Sequence, residues 1–139
     1  MKAKLKDLKK IGKNFLKIKP KKRNPKKTII NKLDTAFSLI IRKRAQCEKC
    51  GRGNNLQCSH IHSREKKSVR WDLLNAFCLC SGCHLYWWHK HPIEAAEFTK
   101  SKLGIEEYDA LNYRAETIKQ WSIEEMEYLL SEFKKELTK

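Results

Sequence analysis

The chain has 139 residues, which is the length of one domain with a modest hydrophobic core. Its 31 Lys and Arg outnumber its 16 Asp and Glu, so the formal net charge is +15 at pH 7. No apolar run approaches the roughly 18 residues of a membrane span and none resembles a signal-peptide core, so we expect a cytoplasmic protein with no membrane partner.

The positive charge is concentrated at the start of the chain, where residues 1–27 hold 13 Lys and Arg and one acidic residue. A basic tail on a nearly balanced domain predicts a flexible arm over residues 1–30 that binds nucleic acid. Apolar residues at helical spacing favour an amphipathic helix over 3–18, which can also lie on an anionic membrane. A solvated tail without a partner is the plainer alternative. The expected DNA contacts in this arm are Lys21, Lys22 and Arg23.

A helix is predicted over residues 31–46, at the start of a single domain that is expected to span 31–139. Asn31 is placed to cap this helix, and Asp34 lies near the positive end of its dipole. Its apolar stripe is Leu33, Ala36, Phe37, Ile40 and Ile41. Three basic residues at its far end suit the helix dipole and DNA contact equally well: Arg42, Lys43 and Arg44.

Two C-x-x-C pairs mark the centre of the chain. A thiolate pair at this spacing binds one Zn²⁺ from a tight turn, and two pairs complete a closed tetrahedral site, which is structural rather than catalytic. Repeated C-x-x-C spacing without a secretion signal favours metal and a reducing compartment over disulfides or six ordinary buried thiols. Cys58 and Cys78 are expected to be buried packing residues. The predicted zinc ligands are Cys47, Cys50, Cys80 and Cys83.

A short strand is predicted from Leu56 to His62. Alternate side chains of a strand share a face, so Cys58, His60 and His62 are expected to point the same way. Two histidines on one face beside zinc thiolates favour a functional cleft over a structural role. The sequence therefore predicts that His60 and His62 share one cleft.

A basic loop follows this strand and ends near Asn75. Basic side chains at such a place can grip the phosphates of a nucleic-acid backbone. A solvated loop is an equal alternative for its lysines and a weaker one for its arginines. The residues concerned are Arg64, Lys66, Lys67 and Arg70.

These motifs together resemble the HNH (ββα-metal) endonucleases of the zinc-bound, treble-clef type. The core of the resemblance is an ordered pattern: the first C-x-x-C pair, then Ser59-His60-Ile61, then Asn75, and then the second C-x-x-C pair followed directly by His84. The flanking residues resemble the phage NinG/Rap recombination endonucleases, and the match covers about residues 33–104. Its flanking motifs are Leu33-Asp34, Phe37-Ser38, Ile41-Arg42, Arg44, Ser63-Arg64 and Arg70-Trp71-Asp72.

The resemblance implies a role for each central residue. His60 is expected to be the general base, Asn75 to tether the loop and hold the backbone near that histidine, and His84 to bind a catalytic Mg²⁺ or Mn²⁺ ion. The sequence departs from the family at Ser59, where a metal-binding Asp or His is usual. His62 or Asp72 is the expected replacement ligand, or a water fills the gap.

The remainder of the chain is predicted to be helical. A helix opens at the fourth cysteine, with Trp87 and Trp88 expected in the core rather than stacked on bases, and with His89 and His91 at the surface. Residues 92–139 form a helical extension, with helices over 92–103 and 105–117 and a last helix started by a capping box at Ser122. This extension is expected to pack on the zinc module, and dimerisation is the alternative.

The expected fold class is therefore α+β and mainly helical. A zinc-stabilised ββα-metal core over residues 47–91 follows one helix and a basic N-terminal arm, and C-terminal helices complete it. The resemblance implies a metal-dependent DNA endonuclease of phage or prophage origin that acts in recombination on branched DNA. A non-catalytic zinc-knuckle DNA-binding protein is the alternative, and Ser59 is the residue that favours it.

Overall fold

A computed structural model describes residues 21–139 of the chain. Over this range the protein is a mainly helical α+β structure with a two-stranded sheet. The amphipathic helix expected over 3–18 lies outside the described residues. The elements, in chain order, are α1 (Pro25–Arg42), β1 (Leu56–His60), β2 (Ala76–Cys80), a π-helix (Cys83–Trp88), α2 (Pro92–Leu103), α3 (Ile105–Glu116) and α4 (Ile123–Thr138).

Helix α1 begins earlier and ends earlier than the predicted 31–46. Asn24 caps it, because its side chain accepts a hydrogen bond from the Lys26 N–H at 3.0 Å, and Pro25 takes the first helical position. Asn31 therefore lies inside the helix and is not its cap. The predicted arm over 1–30 therefore extends too far, because residues from Pro25 onward belong to α1. One of them, Ile29, is buried in the core.

Strands β1 and β2 form an antiparallel pair in which His60 lies opposite Ala76 and Cys58 lies opposite Cys78. Strand β1 ends at His60, two residues before the predicted end. A short 3₁₀ turn, Leu73–Asn75, leads into β2. The π-helix follows β2 directly, so the order strand, strand, helix matches the expected order of elements.

The largest core lies between α1, the sheet and α4. Phe37 is at its centre and is 6.2 Å from Phe133 of α4, measured between ring centroids. The predicted capping box is confirmed at the start of α4, where Ser122 and Glu125 exchange hydrogen bonds. The buried members of this core are Ile29, Leu33, Ala36, Phe37, Ile41, Trp71, Ala76, Cys78, Met126, Leu130 and Phe133.

Two smaller cores complete the packing. Phe77 and Leu79 of β2 pack with Cys47 and Cys80, so the sheet joins the cysteine turns to the π-helix. Val69 of the basic loop packs with Leu111 and Ala115 of α3. The helical extension thus covers both the sheet region and the loop that follows β1.

Among the helices of residues 21–139, none combines the length and apolar character needed to cross a membrane.

Candidate metal centre and adjoining cleft

The four predicted zinc ligands lie together. Their sulfur atoms are all within 4.8 Å of one another, and the Sγ atoms of Cys50 and Cys80 are 3.7 Å apart. A tetrahedron with Zn–S bonds of about 2.3 Å has edges of about 3.8 Å, so this spacing suits one zinc ion and is too long for a disulfide. Cys47, Cys50, Cys80 and Cys83 therefore form a cluster that can bind zinc.

The turn that holds the first cysteine pair is built by its backbone. The Cys47 N–H donates to the Arg52 carbonyl at 2.7 Å, and the Gly51 N–H donates to the Cys47 carbonyl at 2.8 Å. Gly51 has a φ of 77°, a left-handed conformation that glycine adopts without steric cost. Glu48 ties this turn to β2, since its N–H donates to the Cys78 carbonyl and its carboxylate accepts from the Cys78 N–H.

The thiols of the cluster differ in acidity. Burial raises the pKa of Cys47, but backbone hydrogen bonds from Cys80, Cys50 and Lys49 outweigh it and lower that pKa to about 6. Burial and hydrogen bonding to the neighbouring cysteines raise the pKa of Cys83. The hydrogen bonds around Cys47 thus favour its thiolate, the form in which a cysteine binds zinc.

Cys58 and Cys78 lie apart from this cluster, as predicted. Both pack with the largest core, where Cys78 is fully buried. Burial raises the pKa of Cys58 to about 11 and also raises the pKa of Cys78.

His60 lies in an open cleft of about 540 Å³ between α1, β1 and the π-helix. Its ring stacks on Phe37 with centroids 5.3 Å apart. The Trp88 indole N–H donates to the His60 backbone carbonyl at 3.3 Å. Other side chains that line the cleft are Asp34, Ser38, Cys58, Arg64, His84 and His89.

The surroundings of His60 favour its neutral form. Burial lowers the pKa of His60, and the charges of Arg64 and Arg70 act in the same direction. A hydrogen bond with the Arg70 backbone and the charge of Asp34 oppose that shift without cancelling it. The neutral form of His60 is therefore favoured near pH 7, and one face of its ring packs on Phe37.

His84 and His89 meet on the opposite wall of this cleft. Their Nε2 atoms are 3.0 Å apart, and Nδ1 of His84 is 2.6 Å from Oε1 of Gln57. Burial lowers the pKa of His84, and the neighbouring imidazoles His89 and His60 lower it further. The structure thus brings His84 and His60 to one cleft and adds His89, which the sequence placed at the surface without a role.

Asn75 tethers the loop between the strands. It is fully buried, and its side chain accepts from the His62 N–H at 2.7 Å while donating to the carbonyls of His62 and Val69. Its backbone carbonyl accepts from the Ile61 N–H at 2.9 Å. Every polar group of this amide is satisfied, and the backbone just after His60 is fixed.

His62 does not share the cleft with His60, and that prediction is wrong. Because β1 ends at His60, the chain turns and His62 faces α3, where its Nε2 is 2.9 Å from the Asn112 side-chain oxygen. Asp72 is also remote from the cleft, because it caps the 3₁₀ turn and pairs with Arg114. Neither residue is placed to supply the ligand that is missing at Ser59.

Ser59 itself is fully buried, and its hydroxyl has no hydrogen-bond partner. It follows Cys58 and precedes His60 on β1, so its side chain points to the other face of the strand. A hydroxyl in this position does not reach the cleft. The metal-binding residue usual at this place in the resembled family therefore has no counterpart in β1.

The basic loop residues differ in how exposed they are and in how closely they are paired. The Arg64 side chain is 62% exposed at the cleft mouth and is 3.7 Å from Asp34. Arg70 is only 21% exposed because Asp34 holds its guanidinium through two hydrogen bonds of 2.7 and 3.0 Å. Lys66 pairs with Glu116 at 2.7 Å. Arg64 and Lys67 therefore keep exposed side chains, whereas the guanidinium of Arg70 is held against Asp34.

The basic residues at the two ends of α1 differ in their surroundings. Lys21, Lys22 and Arg23 are exposed just before its first turn, where the helix dipole favours an anion. Arg44, beyond its last turn, donates hydrogen bonds to the carbonyls of Leu73 and Ala76, each at 2.9 Å. Arg44 therefore supports the entry to β2, a role that neither sequence alternative included.

Comparison of the chain with models of protein families, with curated proteins and with solved structures finds no match.

The sequence missed two contributors to the cleft. Gln57 lies on β1 just before Cys58, but it belongs to no recognisable motif. His89 is five residues after His84, a separation that places two side chains about 140° apart around an α-helix. The two histidines meet only because the turn between them is π-helical. No residue pattern in the sequence predicts a π-helix at this place.

Proposed function

We propose that this protein is a metal-dependent endonuclease that hydrolyses phosphodiester bonds in DNA, with an HNH-type site. The observation that carries the proposal is the common cleft of His60 and His84, which opens beside the four-cysteine cluster. The single imidazole of His60 shares this cleft with the paired imidazoles of His84 and His89, and the cleft is large enough for a phosphodiester group. A protein that only binds DNA has no need of this arrangement.

His60 acts as the general base in this proposal. Its lowered pKa keeps it neutral near pH 7, so it can accept the proton of a water that attacks phosphorus. Stacking on Phe37 and the hydrogen bond with the Arg70 backbone limit the rotation of the ring. Asn75 fixes the residues that follow, so the base is held on a rigid backbone.

His84 would hold the catalytic divalent cation through Nε2, because its Nδ1 contacts Gln57. A bound divalent cation stabilises charge on the phosphoryl group and on the departing 3′ oxygen. Gln57 orients the imidazole by its contact with Nδ1. A zinc ion held by the four cysteines would support this wall of the cleft, and with four thiolate ligands it would have no open position for substrate.

DNA binding is assigned to the exposed basic side chains. Arg64 lies at the cleft mouth, Lys67 lies on the same loop, and Lys21, Lys22 and Arg23 precede α1. The net charge of +15 supports a polyanionic partner. The resemblance to NinG/Rap endonucleases favours a branched substrate formed in phage recombination.

A non-catalytic zinc-knuckle DNA-binding protein is the second candidate. Buried Ser59 favours it, because the family's usual metal ligand is absent from β1. The ion pairs of Arg70 and Lys66 also leave fewer free phosphate contacts than the loop sequence suggests. This candidate predicts DNA binding without turnover under every metal.

A cleavage assay with zinc-loaded full-length protein separates the two candidates. The substrates are a four-way junction, a flap and a linear duplex of equal length, each with Mg²⁺, Mn²⁺, Ni²⁺ or no added metal. The nuclease proposal expects metal-dependent strand scission, fastest on a branched substrate. Retarded mobility of all three DNAs with no scission under any metal supports the binding protein and contradicts the nuclease.

A further inference from the structure

A second space, the side pocket, lies next to the cleft, between the loop after β1, the π-helix, α2 and α3. Its volume is about 250 Å³. Ile61 and Trp88 line both the side pocket and the cleft that contains His60. A group bound in the side pocket would therefore lie beside a phosphodiester group bound in the cleft.

The lining of the side pocket suits an uncharged, planar group. Among the described residues that line it, none is Lys, Arg, Asp or Glu, the first two of which a phosphate would need. Trp88 and Tyr108 supply aromatic rings, and Ala95 and Ala96 supply apolar contacts. The volume lies below the roughly 300–1,000 Å³ of sites for drug-sized ligands, so the space matches a single ring system.

Asn112 gives the side pocket a hydrogen-bond donor. Its Oδ1 is 2.9 Å from Nε2 of His62. An amide oxygen only accepts hydrogen bonds, so the imidazole carries its proton on Nε2 in this contact. The amide nitrogen of Asn112 is left to donate to an acceptor on a ligand.

The walls of the side pocket are held by contacts outside it. The His62 backbone N–H donates to the Asn75 side chain at 2.7 Å. The Trp88 indole N–H donates to the His60 carbonyl at 3.3 Å, and its ring packs edge-on against Phe77 with centroids 5.7 Å apart. A ligand that enters this pocket therefore needs to order little of the protein, which favours binding.

We propose that the side pocket receives one unpaired nucleobase of DNA, next to the phosphodiester bond that lies in the cleft. The cost of taking a base out of the stack is least when that base is already unpaired, as it is in flaps and open branch points. All four bases carry acceptors on their edges, so the Asn112 donor selects for the presence of a base and not for its identity. The link to cleavage rests on the proposed function, whereas base binding does not require it.

Base binding is tested on zinc-loaded full-length protein without added divalent metal, so that no DNA is cut. Fluorescence anisotropy gives the affinity for two short duplexes of one sequence, one with a single unpaired thymine and one with an abasic residue in its place. Stacking of one base on an aromatic side chain predicts that the thymine duplex binds about fivefold more tightly or better. Equal affinity for the two duplexes overturns the proposal.

Two variants of α2 with the same added side chain make the test specific. Ala96→Leu fills the side pocket and is expected to lose the preference for thymine over the abasic residue, with affinity for the abasic duplex and zinc content unchanged. Ser101→Leu adds a leucine at an exposed position of the same helix and should keep the wild-type preference. A wild-type preference in Ala96→Leu overturns the assignment of the base to this pocket.

Failure of this inference is distinguishable from failure of the proposed function. A thymine preference that Ala96→Leu removes, in a protein that cuts no DNA under any metal, contradicts the nuclease and retains the base pocket. Cleavage of branched DNA by a protein that binds the thymine and abasic duplexes equally retains the nuclease and removes the base pocket.

Discussion

The acid–base behaviour of His60 gives the first prediction at the scale of single residues. A general base must be neutral, and burial lowers the pKa of His60 below its ordinary value of 6.5. Activity is therefore lost as the pH falls through the lowered pKa. We expect kcat/KM for DNA cleavage to rise with pH, with a midpoint below 6.5, and to level off by pH 7.

The measurement is a pH profile at saturating divalent metal, because protonation of His84 also opposes metal binding at acid pH. Zinc content is recorded at each pH to exclude loss of the structural ion. The His91→Ala variant serves as control and should give the wild-type midpoint. A midpoint above pH 7 contradicts the assignment of His60 as a buried base.

Asp34 gives the second residue-scale prediction, because its carboxylate holds Arg70, Trp71 and Arg64 at once. Burial raises its pKa, but the hydrogen bonds from Arg70 and Trp71 and the two arginine charges outweigh it, so that pKa lies below the ordinary value. The stability it contributes is thus present at neutral pH and lost as the pH falls through the lowered pKa.

Asp34→Asn is expected to reduce the free energy of unfolding by about 1–3 kcal/mol at pH 7, because the Arg70 charge loses its partner. Chemical denaturation at pH 7 measures the difference. Asp109→Asn, a change at an exposed carboxylate of α3, is the control and should leave stability unchanged. Equal stability of Asp34→Asn and the wild type contradicts the role of this carboxylate.

At the scale of elements, the stability of α4 depends on the capping box at its N-terminus. The Ser122 hydroxyl accepts from the Glu125 N–H at 3.1 Å, and the Glu125 carboxylate accepts from the Ser122 N–H at 2.8 Å. Since α4 covers the core under α1, loss of this cap should cost about 1 kcal/mol. Ser122→Ala should lower the melting temperature, while Ser101→Ala at an exposed site of α2 should not.

Sequence patterns predict those features that depend only on residues close together in the chain. The cysteine pairs predict their own cluster because ligand spacing is a property of each short turn. The start of α1 was misplaced because Asn24-Pro25 is a stronger capping signal than Asn31. His62 was placed on β1 by extending the strand alternation, but the Asn75 contacts turn the chain at Ile61.

Contacts between distant residues explain the remaining differences. Arg70 pairs with Asp34 across 36 positions, and Lys66 pairs with Glu116 across 50, so neither pairing is visible in a local charge pattern. The contact of His89 with His84 depends on a π-helical turn, which the amino-acid sequence does not predict. The sequence therefore predicts that His60 and His84 face one another, and they do line one cleft, but it misses the neighbours that only the fold brings to them.

At the scale of the whole molecule, the four-cysteine cluster, which can bind zinc, links the sheet to the π-helix. Metal binding at such a cluster contributes on the order of 10 kcal/mol to folding. We expect one zinc per chain, and we expect Cys50→Ala to lose it together with the fold around the sheet. Cys58→Ala removes a thiol outside the cluster and should keep zinc. Folded Cys50→Ala protein without zinc contradicts this account.

The basic N-terminal arm gives the second prediction at this scale. Because α1 begins at Pro25, a truncation that removes residues 1–23 leaves its Asn24 cap in place. Fewer phosphate contacts release fewer counterions, so the truncated protein should bind all DNAs more weakly and with a flatter salt dependence. Lys135→Gln, a distant change on α4, is the control. An unchanged salt slope after truncation excludes backbone contact by the arm.

The central claim is that His60 performs the proton transfer in a DNA endonuclease, and single-turnover cleavage by His60→Ala tests it most directly. Loss of a general base should reduce the rate about 10²–10⁴-fold at saturating DNA and metal, because the group acts only when water is deprotonated. DNA affinity and zinc content should equal those of the wild type. Cleavage at the wild-type rate by zinc-loaded His60→Ala would contradict the account.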